Sequence, residues 1–348
     1  MDTCIPKEII GSHFNQYYPS LSKFPQNYLQ LFFRDVNIIE RHLAYLCPMC
    51  LREGIICAPS FGLGMSSEFS LDHFPPESVG GFLKILVCKK CNNDAGGLFE
   101  NSLKKKMESI SFDNGIISSQ QMAKAEILDQ SGKKIIPGRY TTKITIGDDG
   151  TTEISLKPKS NDKIELLDKW IEQSKTDLNY KIELTVPIVD EIKVSKAFLK
   201  AAYLFCFHSW GYEFAYSPTG ENIRKVLKGE IEYPCKTPTF WLRDSIEAEN
   251  MKFTPLGLCY LQKPLDCRCF IVNMMLEEKG TGYKNIASVL VPNPTLTGWE
   301  DLKKIQEIID SRIELMGISM AHVIDFTVQD RVFDGYSKSW EKLINDNS

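Results

Sequence analysis

The sequence lacks several features that would place it in a specialised class of protein. No apolar run reaches the roughly 18 residues that a helix needs to span a bilayer, and no basic stretch followed by an apolar segment opens the chain. No internal repeat and no low-complexity segment is visible. The net charge is only −4, so the protein as a whole is not a polycation. We therefore expect a cytoplasmic protein without a membrane segment, in which any nucleic-acid contact comes from a local basic surface.

The overall composition is that of a globular protein. Of the 348 residues, 43% are hydrophobic and 25% are charged, which excludes disordered and fibrous classes. This length suggests two or three domains, each able to bury a core. Eleven cysteines form an odd set, and reduced thiols are the expected state of most of them.

Hydrophobic periodicity divides the chain into three segments of a mixed α+β protein. We expect residues 1–112 to hold an N-terminal helix and a metal module, residues 113–190 a region rich in β-hairpins, and residues 191–348 a larger mixed α+β region that binds a partner, a ligand or a target. Helices are predicted over 27–46, 98–110, 164–178, 194–207, 221–228 and 299–315. Strands are predicted over 143–146, 153–156, 181–186, 256–261, 269–276, 287–291 and 322–326, with a loop or short irregular hairpin over 51–70.

Two pairs of cysteines are the strongest local signal. Each pair has the C-x2-C spacing, with the first pair at Cys47 and Cys50 and the second at Cys88 and Cys91. Such a knuckle lets two thiolates face one tetrahedral metal ion, and zinc accepts four sulfur ligands. The spacing therefore predicts a structural zinc site. A pair of redox-active cysteines is the alternative, but no thioredoxin-like strand pattern accompanies them.

Three polar residues lie within or beside this predicted zinc module. Asp72 offers a hard oxygen ligand for Mg²⁺ or Mn²⁺, and the adjacent His73 is of a residue type that takes a proton from water near neutral pH. Asn92 follows the last cysteine, where its amide oxygen can bind the same ion. The alternative for Asn92 is a helix N-cap or a turn residue, and an isolated histidine is more often structural than catalytic.

Together these residues resemble a known family. The order of C-x2-C, Asp-His, Pro, Gly-Gly and C-x2-C-Asn is similar to the zinc-knuckle subgroup of the HNH endonucleases, whose active site is a treble-clef-like ββα-metal unit. The resemblance is closest over residues 72–98 and extends over about 45–110, which is under a fifth of the chain.

The resemblance implies a role for each matching residue. His73 would be the general base that activates water toward a phosphodiester. Asp72 and Asn92 would hold one catalytic Mg²⁺ or Mn²⁺ ion that stabilises the developing charge. The four cysteines would hold the structural Zn²⁺.

The chain departs from the family pattern at two places. Many members carry an asparagine about five residues before the third cysteine, which is thought to orient the base, and Leu83 stands there in this chain. The family's usual lysine after the Cys-Asn pair is absent, because Asp94-Ala95-Gly96 follows instead.

The module is locally basic although the chain is acidic. Between residues 81 and 110 there are six lysines and three acidic residues, and such lysines favour phosphate contacts that carry no sequence preference. A solvated helix face is the alternative explanation. The predicted nucleic-acid contacts are Lys84, Lys89, Lys90, Lys104, Lys105 and Lys106.

These observations favour a metal-dependent endonuclease that hydrolyses phosphodiester bonds in DNA. Because an uncontrolled nuclease is toxic, we expect regulation by a protein partner or a ligand through the C-terminal region, in a setting such as anti-phage defence or restriction. Two alternatives stay open, namely a non-catalytic zinc module that binds nucleic acid or protein, and an HNH nuclease that cleaves RNA.

Overall fold

The protein is described from a computed structural model. The structure describes residues 43–52, 54–57, 69–136, 140–157, 161–174, 180–238, 240–242, 256–263, 269–294, 297–311 and 319–325.

The chain alternates strands and helices in a mixed α+β arrangement. The first half contains β1 (Leu43–Leu46), β2 (Gly54–Cys57), β3 (Phe69–Phe74), β4 (Leu83–Cys88), α1 (Lys89–Ala95), α2 (Asn101–Asp113), β5 (Gln120–Asp129), β6 (Tyr140–Ile146), β7 (Thr152–Lys157), α3 (Asn161–Ser174) and β8 (Tyr180–Thr185). The second half contains α4 (Glu191–Trp210), α5 (Tyr212–Ala215), α6 (Pro218–Lys228), β9 (Phe240–Leu242), β10 (Gly257–Lys263), β11 (Cys269–Glu278), β12 (Tyr283–Val291), α7 (Gly298–Ser311) and β13 (Ser319–Asp325).

These elements form two compact units. The first unit joins the residues up to Leu103 with Glu191–Glu277 and with the chain from Lys284 onward. The second unit consists of Lys104–Asp190 together with Glu278–Tyr283. The unit boundaries after Leu103 and after Asp190 lie near the boundaries predicted at about 112 and 190, and the first unit contains both the cysteine module and most of the C-terminal region.

The first unit is organised around helix α4 and a five-stranded sheet. The strand order is β13-β10-β11-β12-β9, and β10 pairs antiparallel with both β11 and β13. Helix α7 contributes Leu302 and Ile305 to a buried cluster with sheet residues such as Ile271 and Leu290. Phe270 of β11 packs edge-on against Trp210 of α4, with ring centroids 4.8 Å apart.

Helix α4 is buried on nearly all sides from Ala197 onward. Its sequence is apolar around the whole circumference there, which is the pattern of a helix that is enclosed by other elements. Lys200 lies within this apolar stretch and is only 2% exposed.

The second unit is a four-stranded antiparallel sheet covered by one helix. The strand order is β7-β6-β5-β8. Leu167 and Trp170 of α3 pack on Ile127 and Tyr140 of the sheet, and the Trp170 ring meets Tyr180 at 4.9 Å.

The hairpin of β3 and β4 carries the Asp-His pair. The two strands pair antiparallel, with Asp72 opposite Ile85 and His73 opposite Lys84. Gly81 lies in the connection, where a Cβ atom would come within 1.6 Å of the Pro75 carbonyl oxygen. Only glycine allows this close approach, which gives a physical reason for the second glycine of the Gly-Gly pair.

Most predicted elements have a counterpart, one prediction is wrong in part, and some strands were not predicted. The hairpin predicted at 143–156 is present as β6 and β7. The helix predicted over 27–46 is wrong at residues 43–46, which form β1 because they pair with β2, and its remainder lies outside the described residues. Strand β5 was not predicted, since its sequence alternates only weakly between apolar and polar residues.

Candidate metal centre and active site

The four cysteines of the two C-x2-C pairs converge on one point. Their Sγ atoms all lie within 4.8 Å of one another, and the Sγ atoms of Cys50 and Cys88 are 4.0 Å apart. A tetrahedral ion with metal–sulfur distances of about 2.3 Å requires sulfur atoms about 3.8 Å apart. The cluster can therefore hold a metal such as zinc, and it is the one group of this kind within the described ranges.

Local backbone geometry builds each knuckle. In the first, the amide of Leu51 donates to the Cys47 carbonyl at 2.8 Å, which closes the turn that brings Cys47 and Cys50 together. In the second, Cys88 is the N-cap of α1, and its Sγ accepts from the Cys91 amide at 3.4 Å. The Cys88 amide also donates to Cys47 Sγ at 3.3 Å, which joins the knuckles.

Hydrogen bonding prepares one thiol of the cluster for ionisation. The hydrogen bond that Cys88 receives from Cys47, with the Cys91 amide, lowers the pKa of the Cys88 thiol to about 7 despite its burial. By contrast, burial raises the pKa of Cys47 well above the ordinary thiol value. A thiolate is the form that binds zinc, so the hydrogen bonds at Cys88 favour the ligand form of this cysteine.

Asp72 lies in a buried ionic cluster. Its Oδ2 is 2.5 Å from the Lys200 ammonium nitrogen, and the same ammonium contacts Oε1 of Glu100. Asp72 is only 3% exposed. Burial raises the pKa of the Asp72 carboxyl to about 6, while the Lys200 charge opposes this rise and the Glu100 charge adds to it. The predicted metal ligand therefore already has a cationic partner.

His73 lies next to Asp72 in sequence but on the other face of the strand, because successive side chains of a strand point in opposite directions. Its side chain is 19% exposed, and its Nδ1 is 3.9 Å from Oε2 of Glu77, which lies four residues further along the chain. Lys84, directly opposite on β4, shares this face. The histidine thus belongs to a polar, accessible patch rather than to the Asp72 cluster.

Asn92 lies inside helix α1, whose N-cap is Cys88, so it is not itself a cap. Its Nδ2 donates to Ser70 Oγ at 2.9 Å and to the Leu71 carbonyl at 3.4 Å. These bonds fasten α1 to β3. The asparagine amide is therefore used to join the helix to the hairpin.

The six predicted lysine contacts are divided between the two compact units. Lys84, Lys89 and Lys90 belong to the first unit, beside the hairpin and the second knuckle. The run from Lys104 to Lys106 belongs to the second unit, where Lys104 pairs with Glu108 at 3.7 Å.

Several residues that support the module escaped the sequence analysis. Tyr203 of α4 donates its hydroxyl proton to the Pro48 carbonyl at 2.6 Å and accepts from Arg224 at 3.0 Å. The Tyr212 hydroxyl donates to the Leu46 carbonyl at 2.6 Å and accepts from the Leu46 amide at 2.7 Å. The first knuckle is thus held by the C-terminal part of the chain.

One sequence signal could have revealed the Asp72 partner. Lys200 interrupts an apolar helix, and a charged residue in such a position needs an opposite charge nearby. The sequence contains no sign of which acidic residues supply it.

Comparison of the chain with protein-family models, curated proteins and solved structures gives no match. Within the part of the chain that the structure describes, no helix combines the length and the apolar character needed to cross a membrane.

Proposed function

We propose that the cysteine module is a nuclease that hydrolyses phosphodiester bonds in DNA, with His73 as the general base. The observation that carries the proposal is the position of His73 on an accessible face of the β3–β4 hairpin, which continues directly into the helix of the second knuckle. A structural zinc ion in the four-cysteine cluster is part of the proposal, because it would fix the hairpin relative to α1.

Glu77 supports this role for His73. Family members orient the base with an asparagine, and this chain has Leu83 at that position. The Glu77 carboxylate, 3.9 Å from Nδ1 of His73, is placed to orient the ring and to favour the imidazolium that forms when the base accepts a proton from water.

The surrounding lysines suit a phosphate backbone. Lys84 faces the same side as His73, and Lys89 and Lys90 open helix α1. Such contacts would neutralise phosphates and give binding that weakens as salt rises.

The catalytic Mg²⁺ or Mn²⁺ ion implied by the resemblance does not fit the described arrangement of its ligands. The Asp72 carboxylate is buried against Lys200, whereas the hydrogen bonds of Asn92 to the strand use its Nδ2 and not the Oδ1 that would bind an ion. No step of the proposed reaction is therefore assigned to that ion. The dependence of DNA cleavage on Mg²⁺ or Mn²⁺ is instead to be measured. Control by a partner or a ligand through residues 191–348, as in anti-phage defence, belongs to the same proposal.

A cleavage assay tests the proposal. Purified protein is incubated with plasmid and linear DNA in Mg²⁺, in Mn²⁺ and in chelator that leaves structural zinc in place. General base catalysis typically contributes about 10²–10⁴-fold, so His73→Ala should reduce the rate by at least ~100-fold with unchanged zinc content and thermal stability. Glu77→Gln should cause a smaller loss. Equal cleavage by wild type and His73→Ala would exclude His73 as the base.

The RNA alternative is separated by digesting single- and double-stranded RNA in parallel. If the protein cleaves RNA faster than every DNA substrate, and if this cleavage also depends on His73, the substrate is RNA. The role of His73 as general base would then be unchanged.

A second candidate function is a non-catalytic zinc module that binds nucleic acid. The observation that favours it is the ionic cluster, because Asp72 is occupied by Lys200. A wild-type protein that binds DNA with a steep salt dependence, and that cleaves neither DNA nor RNA in any of the metals, would favour this candidate. Lys84→Ala should then weaken binding, whereas His73→Ala should change it little.

A further inference from the structure

The most unusual group in the first unit is the buried ammonium of Lys200. It lies between buried apolar residues of α4, such as Leu199 and Ala201, and is 2% exposed. Removing a charge from water costs several kcal/mol or more unless an opposite charge compensates. The position of a lysine here therefore needs an explanation in the residues that it meets.

Two carboxylates meet this ammonium from two other elements. Asp72 comes from strand β3, and Glu100 ends the π-helical segment Gly96–Glu100 that precedes α2. Both contact Nζ directly, and their side chains are 4% and 14% exposed. Two carboxylates around one small cation form the kind of oxygen environment that binds Mg²⁺ or Mn²⁺ elsewhere. In this protein a side chain supplies the cation.

The charges of the cluster do not cancel. At neutral pH two carboxylates and one ammonium leave one negative charge in excess, and a divalent ion in place of the ammonium would balance the pair completely. The charge balance alone would favour a divalent ion. The lysine ammonium keeps such an ion away because it occupies the space next to the carboxylate oxygen atoms.

We propose that Lys200 is a built-in cation that takes the place of a divalent metal at Asp72, so that Asp72 is closed to metal binding while α4 is packed on the module. As long as α4 holds its ammonium between Asp72 and Glu100, Asp72 ligates no Mg²⁺ or Mn²⁺. When the Lys200 ammonium is removed, two neighbouring carboxylates are left that take up one divalent ion. This inference rests on the ion pairs alone and does not require His73 to be catalytic.

The test measures Mn²⁺ binding to the zinc-loaded full-length protein by electron paramagnetic resonance of free Mn²⁺, with no cleavage readout. Wild type and Lys200→Arg, which keeps the positive charge, should bind no Mn²⁺ that depends on Asp72. Lys200→Met, which keeps the length of the side chain and removes the charge, should bind about one more Mn²⁺ per chain. The double variant Lys200→Met with Asp72→Asn should lose that additional site.

Two results would overturn the proposal. The first is a folded Lys200→Met protein that gains no Mn²⁺ site. The second is a wild-type protein whose Mn²⁺ binding disappears in Asp72→Asn, because Asp72 would then be open to metal with the lysine in place. The second measurement remains decisive even if Lys200→Met fails to fold. A failure of cleavage by the wild type would leave both measurements unaffected.

Discussion

The four cysteines and the Asp72-His73-Asn92 set are two predicted sites in the same module, and the structure places their members differently. The cysteines converge within 4.8 Å of one another. The other three residues point to three separate partners, which are Lys200, Glu77 and Ser70. The difference shows that a short motif positions residues reliably when their neighbours are local, and less reliably when a distant helix supplies the partner.

Loss of one zinc ligand should have the largest effect. Cys88→Ser removes the thiol that links the knuckles, and structural zinc sites contribute apparent binding free energies of about 10–16 kcal/mol in zinc-finger peptides. We expect loss of bound zinc by elemental analysis and loss of cooperative thermal unfolding of the first unit. Cys206→Ala, which removes a buried thiol of α4 away from the cluster, is the matched control and should keep about one zinc per chain.

Removal of the Lys200 charge should have the next largest effect. Lys200→Met leaves two buried carboxylates without their cation, and breaking a buried ion pair costs about 3–5 kcal/mol. Chemical denaturation without divalent metal should detect this loss. Adding Asp72→Asn should restore part of the stability. If Lys200→Met is as stable as the wild type, the cluster is hydrated, and the two predicted sites differ less in their surroundings than the ion pairs indicate.

The pH dependence of stability should carry a smaller signature of the same cluster. Burial raises the pKa of Asp72 from its ordinary value of 3.8 to about 6, so the folded protein binds this proton more tightly than the unfolded chain. The free energy of unfolding therefore receives a contribution at low pH that is lost as the pH rises through about 6. Asp72→Asn should flatten the change between about pH 4 and pH 6, and an unchanged slope would assign it to other groups.

The smallest expected effect concerns Asn92. Asn92→Ala removes the hydrogen bonds to Ser70 and Leu71, and a hydrogen bond of this kind contributes about 1 kcal/mol. Zinc content should not change. A loss of Mn²⁺ binding without loss of stability would instead return Asn92 to the set of metal ligands.

How well the sequence predicts each part of the site depends on how far apart the interacting residues lie along the chain. Cys47 and Cys50 are joined by one turn, and Cys88 caps the helix that carries Cys91, so their spacing alone carries the geometry. The partner of Asp72 lies on another segment of the chain, and its burial depends on how α4 packs. Periodicity predicted a helix over 194–207, but it could not identify the carboxylates that meet Lys200.

The fold shows the same limit. Hairpin β6–β7 was predicted because its strands alternate around a glycine turn. The joining of the cysteine module to the C-terminal region was not predicted, because it rests on contacts such as Tyr203 with Pro48. Such contacts have no periodic pattern in the sequence.

The tyrosine contacts to the first knuckle also set an order of events during synthesis. Cys91 completes the cluster, but Tyr212, which binds Leu46, emerges from the ribosome about 120 residues later. At about 5–20 residues per second this interval lasts roughly 6–24 s. For that time the nascent chain has all four thiols but lacks the segment that supplies the tyrosine contacts, so the set of metal ligands is complete before the domain that surrounds it.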